Sequence, residues 1–326
     1  MSDPSQLPDL LSDGSIVLDY ASLRYNPCDD LIFPSVIRAD GQMASPLAKY
    51  HMYYAPHDSP GGIYLAIADA LEGPWREYDH NPLVENVWQP HYRVGHVSSP
   101  HAIHNSEASE LFLYYHGDND TTHLATSTDG VTFEYEGVAC DQARFQAATG
   151  ISSRVFYARV SRHESPSERG PYVMTFMASF FEPKSEDEPD MHGLYAAWSH
   201  DGRTWKVEPQ PILRQSDLGP SEYVCAPYLF SWNGRHHIYY HRDFSGTVIP
   251  GKGVTDTYRI EVDADLRPIG PQELVCRRQA FGDDNLRASD PCPFVEGDTL
   301  YLFSSVGARL NQKIGLTKAP AAQALG

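Results

Sequence analysis

HVSSPHAIH, residues 96–104, sets a serine–proline step among three histidines, just ahead of the apolar run LFLYYHG at 111–117. Four other stretches share this layout: FPSVIRADG (33–41), YARVSRH (157–163), APYLFSWNG (226–234) and DPCPFVEG (290–297). Anchored on Pro34, Pro100, Ala158, Pro227 and Pro291, they stand 66, 58, 69 and 64 residues apart. A tyrosine-rich or otherwise apolar strand follows each: YHMYYAP (50–56), LFLYYHG, YVMTFMA (172–178), HHIYYHR (236–242) and TLYLFSS (299–305). Behind three of these come short alternating strands and the turns IADALEGPW (67–75), TSTDGVTF (126–133) and WSHDGRTW (198–205), whose small residue, acid, glycine and aromatic are hairpin chemistry.

A four-stranded antiparallel unit recurring five times at this period predicts an all-β fold, a five-bladed β-propeller in which each blade buries its faces against its neighbours. Blades start near 33, 99, 157, 226 and 290 of a single domain spanning 1–326. The fifth runs out of chain after KIGLTKAP, one strand short, and SIVLDYA (15–21) is expected to supply that strand and close the ring. A β-sandwich or an α/β domain competes with this reading. Against both stand the missing 3.6-residue apolar periodicity and the missing strand–helix alternation. EPKSEDEPDMHG (182–193) and GTVIPGKGVTD (246–256) read as exposed insertions.

Twenty-five Lys and Arg against 43 Asp and Glu give a net charge of −18, which argues against nucleic acid or an anionic membrane as partner. A neutral partner fits, or a small one gripped by local arginines. No apolar stretch approaches a membrane span, and MSDPSQLPDL lacks the basic-then-apolar order of a signal peptide, so a cytoplasmic protein is expected. Five scattered cysteines without a CxxC pair read as buried free thiols.

Five blades, each opened by a strand anchored on Pro or Ala, with LEGPW and S-x-DG-x-x-W hairpins, resemble the five-bladed propeller glycosidases, glycoside hydrolase families 43, 32 and 117 and their relatives, over about residues 20–318. In family 43 a carboxylate base opens the first blade, a second aspartate tunes its partner and a glutamate acid comes from a later blade. The resemblance therefore implies glycoside cleavage by paired carboxyl groups. This chain departs from the pattern. The residue before the first anchor, aspartate in many relatives, is Phe33; His101 follows the second anchor; Glu222 stands five residues before Pro227; only the fifth blade keeps an Asp-Pro step, Asp290-Pro291. The Asn-Asp-Pro and Glu-Cys-Pro pattern of family 32 is absent.

Equivalent positions across the blades give the candidate site. Four residues before the anchors stand Asp30, His96, Arg154, Tyr223 and Arg287, and one after them Ser35, His101, Arg159, Tyr228 and Cys292. Such polar sets in strand interiors mean either a satisfied buried network or a wet site. Asp30 with Asp29 is the candidate base or nucleophile, or else a turn pair. Glu222 is the candidate acid, or else part of a loop after Gly219-Pro220. Asp290 is catalytic, or satisfies backbone amides at a strand start. His96, His101, His116, Arg159, Tyr223, His241 and Arg287 are expected to bind substrate. The matched placement of His57, His116 and His241 near second-strand ends hints at one mouth of the channel.

The expected activity is that of a glycoside hydrolase, exo-acting on a small oligosaccharide or glycoside, with an acidic sugar as one answer to the arginines. An inverting phosphorolysis like that of the propeller mannoside phosphorylases is the alternative enzyme, and a non-catalytic glycan- or protein-binding propeller the alternative of another class. No organic cofactor is implied, since no Gly-rich phosphate loop or dinucleotide fingerprint occurs. A divalent ion in the central channel stays an open alternative.

Overall fold

The computed structural model describes residues 11–24, 29–180, 192–218, 223–244 and 253–325. Its strands form five antiparallel sheets in a five-bladed β-propeller, together with one small hairpin, Val87–Trp88 with Tyr92–Arg93. The inner strands are Ile32–Arg38, Val97–Asn105, Ser153–Ser167, Tyr223–Trp232 and Ala288–Glu296, matching the predicted blade openings. The fifth blade takes its outermost strand from Gly14–Leu18, which pairs with Asn311–Pro320, so the ring closes as expected. Among the described residues no helix is long and apolar enough to cross a membrane.

Each blade hydrophobic cluster spans a seam between sheets, because a lone blade would leave both faces wet. Phe112 and Tyr114 of blade 2, for instance, pack with Val160 and Phe176 of blade 3. The glycine turns fasten these seams. In TSTDG the Ser127 hydroxyl accepts the N–H groups of Asp129 and Gly130, while Asp129 accepts those of Val131 and Thr132. Ser199 and Asp201 repeat the arrangement in WSHDG. The carbonyls so exposed receive tyrosines of the preceding blade: Tyr53 donates to Gly130 O at 2.8 Å and Tyr114 to Gly202 O at 2.5 Å.

One irregularity is repeated five times. Phe33, Ser99, Tyr157, Ala226 and Asp290, each one residue before an anchor, all have φ between +51° and +61°. At each of them the pairing with the second strand slips, so the inner strand bulges at one common level. A side chain in this left-handed region costs roughly 1–2 kcal/mol. Strain repeated at one level and in non-glycine residues is the kind that re-aims side chains beside functional sites. The bulge also breaks the strict alternation on which a face count from Ser99 to His101 would depend.

Candidate active site

Two polar layers occupy the channel. The inner one consists of Ser35, His101, Arg159, Tyr228 and Cys292, one residue after each anchor. His101 and Arg159 are each 1% exposed. His101 Nε2 meets Val160 O at 2.6 Å, and Arg159 Nη1 donates to Pro100 O at 2.8 Å. Ser35 Oγ accepts from Ala102 N, and Cys292 Sγ from Val36 N. These bonds tie one blade to the next. The guanidinium lies 5.2 Å from the Phe33 ring centroid and 6.0 Å from that of Tyr228, and its Nε and Nη2 are buried without a partner among the described residues. Burial and the nearby Arg159 cation hold the His101 imidazole down to about 3, so it is neutral at physiological pH. The layer is a plug; His101 and Arg159, expected to bind substrate, lie within it, and His101 also lines the cavity at the opposite mouth.

The second layer lies where inner strands begin and second strands end. Its floor is aromatic: Phe33 and Tyr157 stand 4.5 Å apart between centroids, and Phe156 packs edge-on against Tyr157 at 4.5 Å. Around it the structure gathers most of the candidates. Asp290, 4% exposed, has its backbone N–H bonded to His241 Nδ1 at 3.2 Å, and Oδ1 lies 3.6 Å from the same nitrogen. Ser289 Oγ donates to Asp290 Oδ2. Arg287 Nη2 stands 3.8 Å from Asp243, and a Cβ on Gly253 would lie 2.0 Å from that nitrogen, so a larger residue there would push the guanidinium aside. His116 Nε2 meets His96 Nε2 at 3.2 Å, and the His116 ring packs on Tyr157 at 5.6 Å.

Asp30, 2% exposed, accepts the N–H groups of Gln312 at 2.9 Å and His57 at 3.1 Å, fastening blade 1 to blade 5. Burial raises its carboxyl above the ordinary range; the two N–H bonds pull the other way, and the charge of Asp290 adds to the rise. Burial lowers His116 well below the usual imidazole range, with His96 and His57 adding to the effect. It likewise lowers His241, against the pull of Asp290. Asp29 is exposed beside this layer, in a left-handed conformation. Tyr223 opens the inner strand of blade 4 by pairing with Asp243, and Glu222 lies outside the described residues.

Sequence reasoning missed Tyr157 and Asp243. The signal for Tyr157 was present, since it precedes an anchor just as Phe33 and Asp290 do. Asp243 closes the second strand two residues after His241 and carried no pattern of its own. Among the described residues no group of three or more His, Cys, Asp or Glu is placed to hold a metal ion. A cavity of about 620 Å³ opens at the opposite mouth, walled by Tyr228, Phe230, Trp232 and Phe294, away from these carboxylates.

Chemically, the mouth with Asp290 offers an acceptor carboxylate beside a neutral imidazole, a second carboxyl biased toward its protonated form, and an aromatic platform. No family model and no curated protein matches the sequence. Solved structures do. One described as a glycoside hydrolase superposes with a TM-score of 0.68 at 13% identity, covering 96% of this chain and 92% of its own. The catalytic domain of the Coprinopsis cinerea GH62 α-L-arabinofuranosidase reaches 0.59 at 14% identity, with 95% and 98% covered. A thermostable family-43 glycoside hydrolase reaches 0.54 at 20% identity over 68% of each chain. Across almost its whole length, therefore, this chain has the fold of the five-bladed β-propeller glycosidases.

Proposed function

We propose that the chain cleaves a glycosidic bond at the mouth containing Asp290, by hydrolysis at the end of a small oligosaccharide or glycoside. The observation that carries this reading is Asp290 itself. It is the one carboxylate at a left-handed blade-opening position, the place many relatives give to aspartate, here transferred to the fifth blade and set beside His241. In this reading Asp290 acts as base or nucleophile. Asp30, whose carboxyl burial favours the protonated form, and Glu222 are the two candidate proton donors. The Phe33–Tyr157 floor stacks the apolar face of the sugar.

Phosphorolysis is the second reading. It is favoured by Arg287, whose buried Nε has no partner among the described residues and which faces the His241 corner. The test is a screen of aryl glycosides and oligosaccharides with and without inorganic phosphate, repeated for Asp290→Asn, Asp30→Asn and Glu222→Gln. Loss of a positioned acid or base costs about 10²- to 10⁴-fold in turnover. Asp290→Asn is expected to fall in that range, together with one of the other two. Turnover that requires phosphate would select phosphorolysis. Unchanged turnover in Asp290→Asn would remove the role assigned to it, and saturable sugar binding without turnover would select a non-catalytic propeller.

A further inference from the structure

We infer that His241 is a hydrogen-bond donor of fixed tautomer, whose Nε2–H recognises one hydroxyl oxygen of the sugar ring held beside the Asp290 carboxylate. The inference rests on the reading of this mouth as a glycoside-cleaving site, and names what that site demands of its substrate. Its basis is an unusual use of the backbone. The N–H of Asp290 points at His241 Nδ1 from 3.2 Å, and an N–H donor can only meet a nitrogen lone pair there. Nδ1 is therefore unprotonated. Its 3.6 Å separation from Asp290 Oδ1 is too long for the hydrogen bond a protonated Nδ1 would make.

A neutral ring with a bare Nδ1 carries its proton on Nε2. Neutrality follows from the setting: the ring is 5% exposed, and Arg287 lies at the same corner. Opposing it are Asp290 and, on the imidazole's own strand, Asp243, which already faces Arg287 at 3.8 Å. The strand paired with it contributes Cys225, a buried thiol without charge. On the Asp290 side, Oδ2 takes the Ser289 hydroxyl, and Oδ1 lies 3.6 Å from Nδ1. One wall of the mouth thus shows a donor that cannot become an acceptor, beside the carboxylate assigned to the reaction. A hydroxyl of the bound sugar matches it by accepting from Nε2–H, which leaves Oδ1 for the reaction. A tautomer fixed by a backbone amide does not depend on substrate to be set, so the donor is in place before binding.

The experiment compares His241→Gln, whose side-chain amide can put an N–H near the Nε2 position, with His241→Asn, whose amide reaches only the Nδ1 position. Loss of one such donor to a buried hydroxyl is worth about 10- to 100-fold in kcat/KM. His241→Asn is expected to lose that much, while His241→Gln stays within about threefold of the parent. Substrates lacking one hydroxyl should be discriminated by the parent and by His241→Gln, and the deoxy penalty should vanish in His241→Asn. Equal losses in both variants, or a deoxy penalty that persists in His241→Asn, would overturn the inference. Nitrogen-15 NMR of labelled imidazoles in the unmodified protein reads the tautomer without activity. It should show a His241 ring bare at Nδ1 and protonated at Nε2 at neutral pH. A proton on Nδ1 would overturn the inference, whereas absence of any glycoside turnover would count against the reaction and leave the tautomer result standing.

Discussion

Stability should fall steeply between neutral pH and about pH 5, because the fold encloses imidazoles that must stay uncharged. His51, His123 and His237 are each lowered to about 4 and His101 to about 3, in every case chiefly by burial, from an ordinary value of 6.5. His51 is fully buried, and neither of its ring nitrogens has a partner among the described residues. The direction is fixed by linkage. A folded-state value below the unfolded one means that the unfolded chain binds the extra proton, so folding loses ground as pH drops through 6.5 and keeps losing until the folded values are reached. Each such histidine then costs about 1.4 kcal/mol per pH unit, or about 2 kcal/mol at pH 5, and four together cost about 8 kcal/mol. That is of the order of the whole stability of a domain, about 5–15 kcal/mol. Asp30, raised by burial, works in the opposite sense but is one group. The lowered carboxylates, such as Glu107 at about 2, act only below this window. Urea titrations at closely spaced pH values would give the slope of unfolding free energy directly, and His51→Phe should reduce it by about one proton's worth. A free energy that stays level from pH 7 to pH 5 would refute the reasoning, since it would mean that the buried rings are either charged in the fold or solvated.

The repeated bulge makes a paired prediction. Ala226 is left-handed and Ala158, at the neighbouring position of another blade, is not, although both are buried inner-strand alanines. Ala226→Gly should be neutral within about 0.5 kcal/mol, because relief of the left-handed penalty offsets the lost methyl, whereas Ala158→Gly should cost about 1 kcal/mol or more. Thermal melts check both, and equal losses would deny the strain. The buried Arg159 guanidinium leaves two of its nitrogens unbonded among the described residues, so Arg159→Met should leave stability unchanged or raise it by about 1–4 kcal/mol. Arg159→Ala, which opens a hole on the axis, should lower it by at least about 2 kcal/mol by the same denaturant measurement.

The fold was legible because its period survives in the chemistry of a few positions. Proline or alanine marks each inner strand, Ser-x-Asp-Gly marks two turns, and a spare strand at 15–21 answers a missing one at the other end of the count. The bulge was not legible. Phe33, Ser99, Tyr157, Ala226 and Asp290 share a backbone conformation that only tertiary packing imposes, and no glycine announces it. Counting alternation across position 99 therefore could not assign faces, and His101 falls in the plug with Arg159. The mouth was readable in part. Residues four before the anchors put Asp30, His96 and Arg287 at the strand starts, and matched strand ends added His116 and His241. That Asp30 is engaged by two backbone amides, or that His241 is engaged by one, depends on loop paths that no residue pattern encodes.

The pairing of Gly14–Leu18 with Asn311–Pro320 has a consequence for how the molecule is made. Segments about three hundred residues apart in sequence must meet before the fifth sheet is complete, and the Tyr20 hydroxyl reaching Asn311 Oδ1 at 2.7 Å belongs to the same late contact. Loop closure over that distance is slow and entropically costly, so four blades can assemble in order during synthesis while the fifth waits for its distant edge. Until then the third strand of that sheet is an open edge, and a neighbouring nascent copy offers the same strand to fill it. The ring that protects the finished protein from aggregation is thus also the step at which a growing chain is most exposed to exchanging strands with its twin.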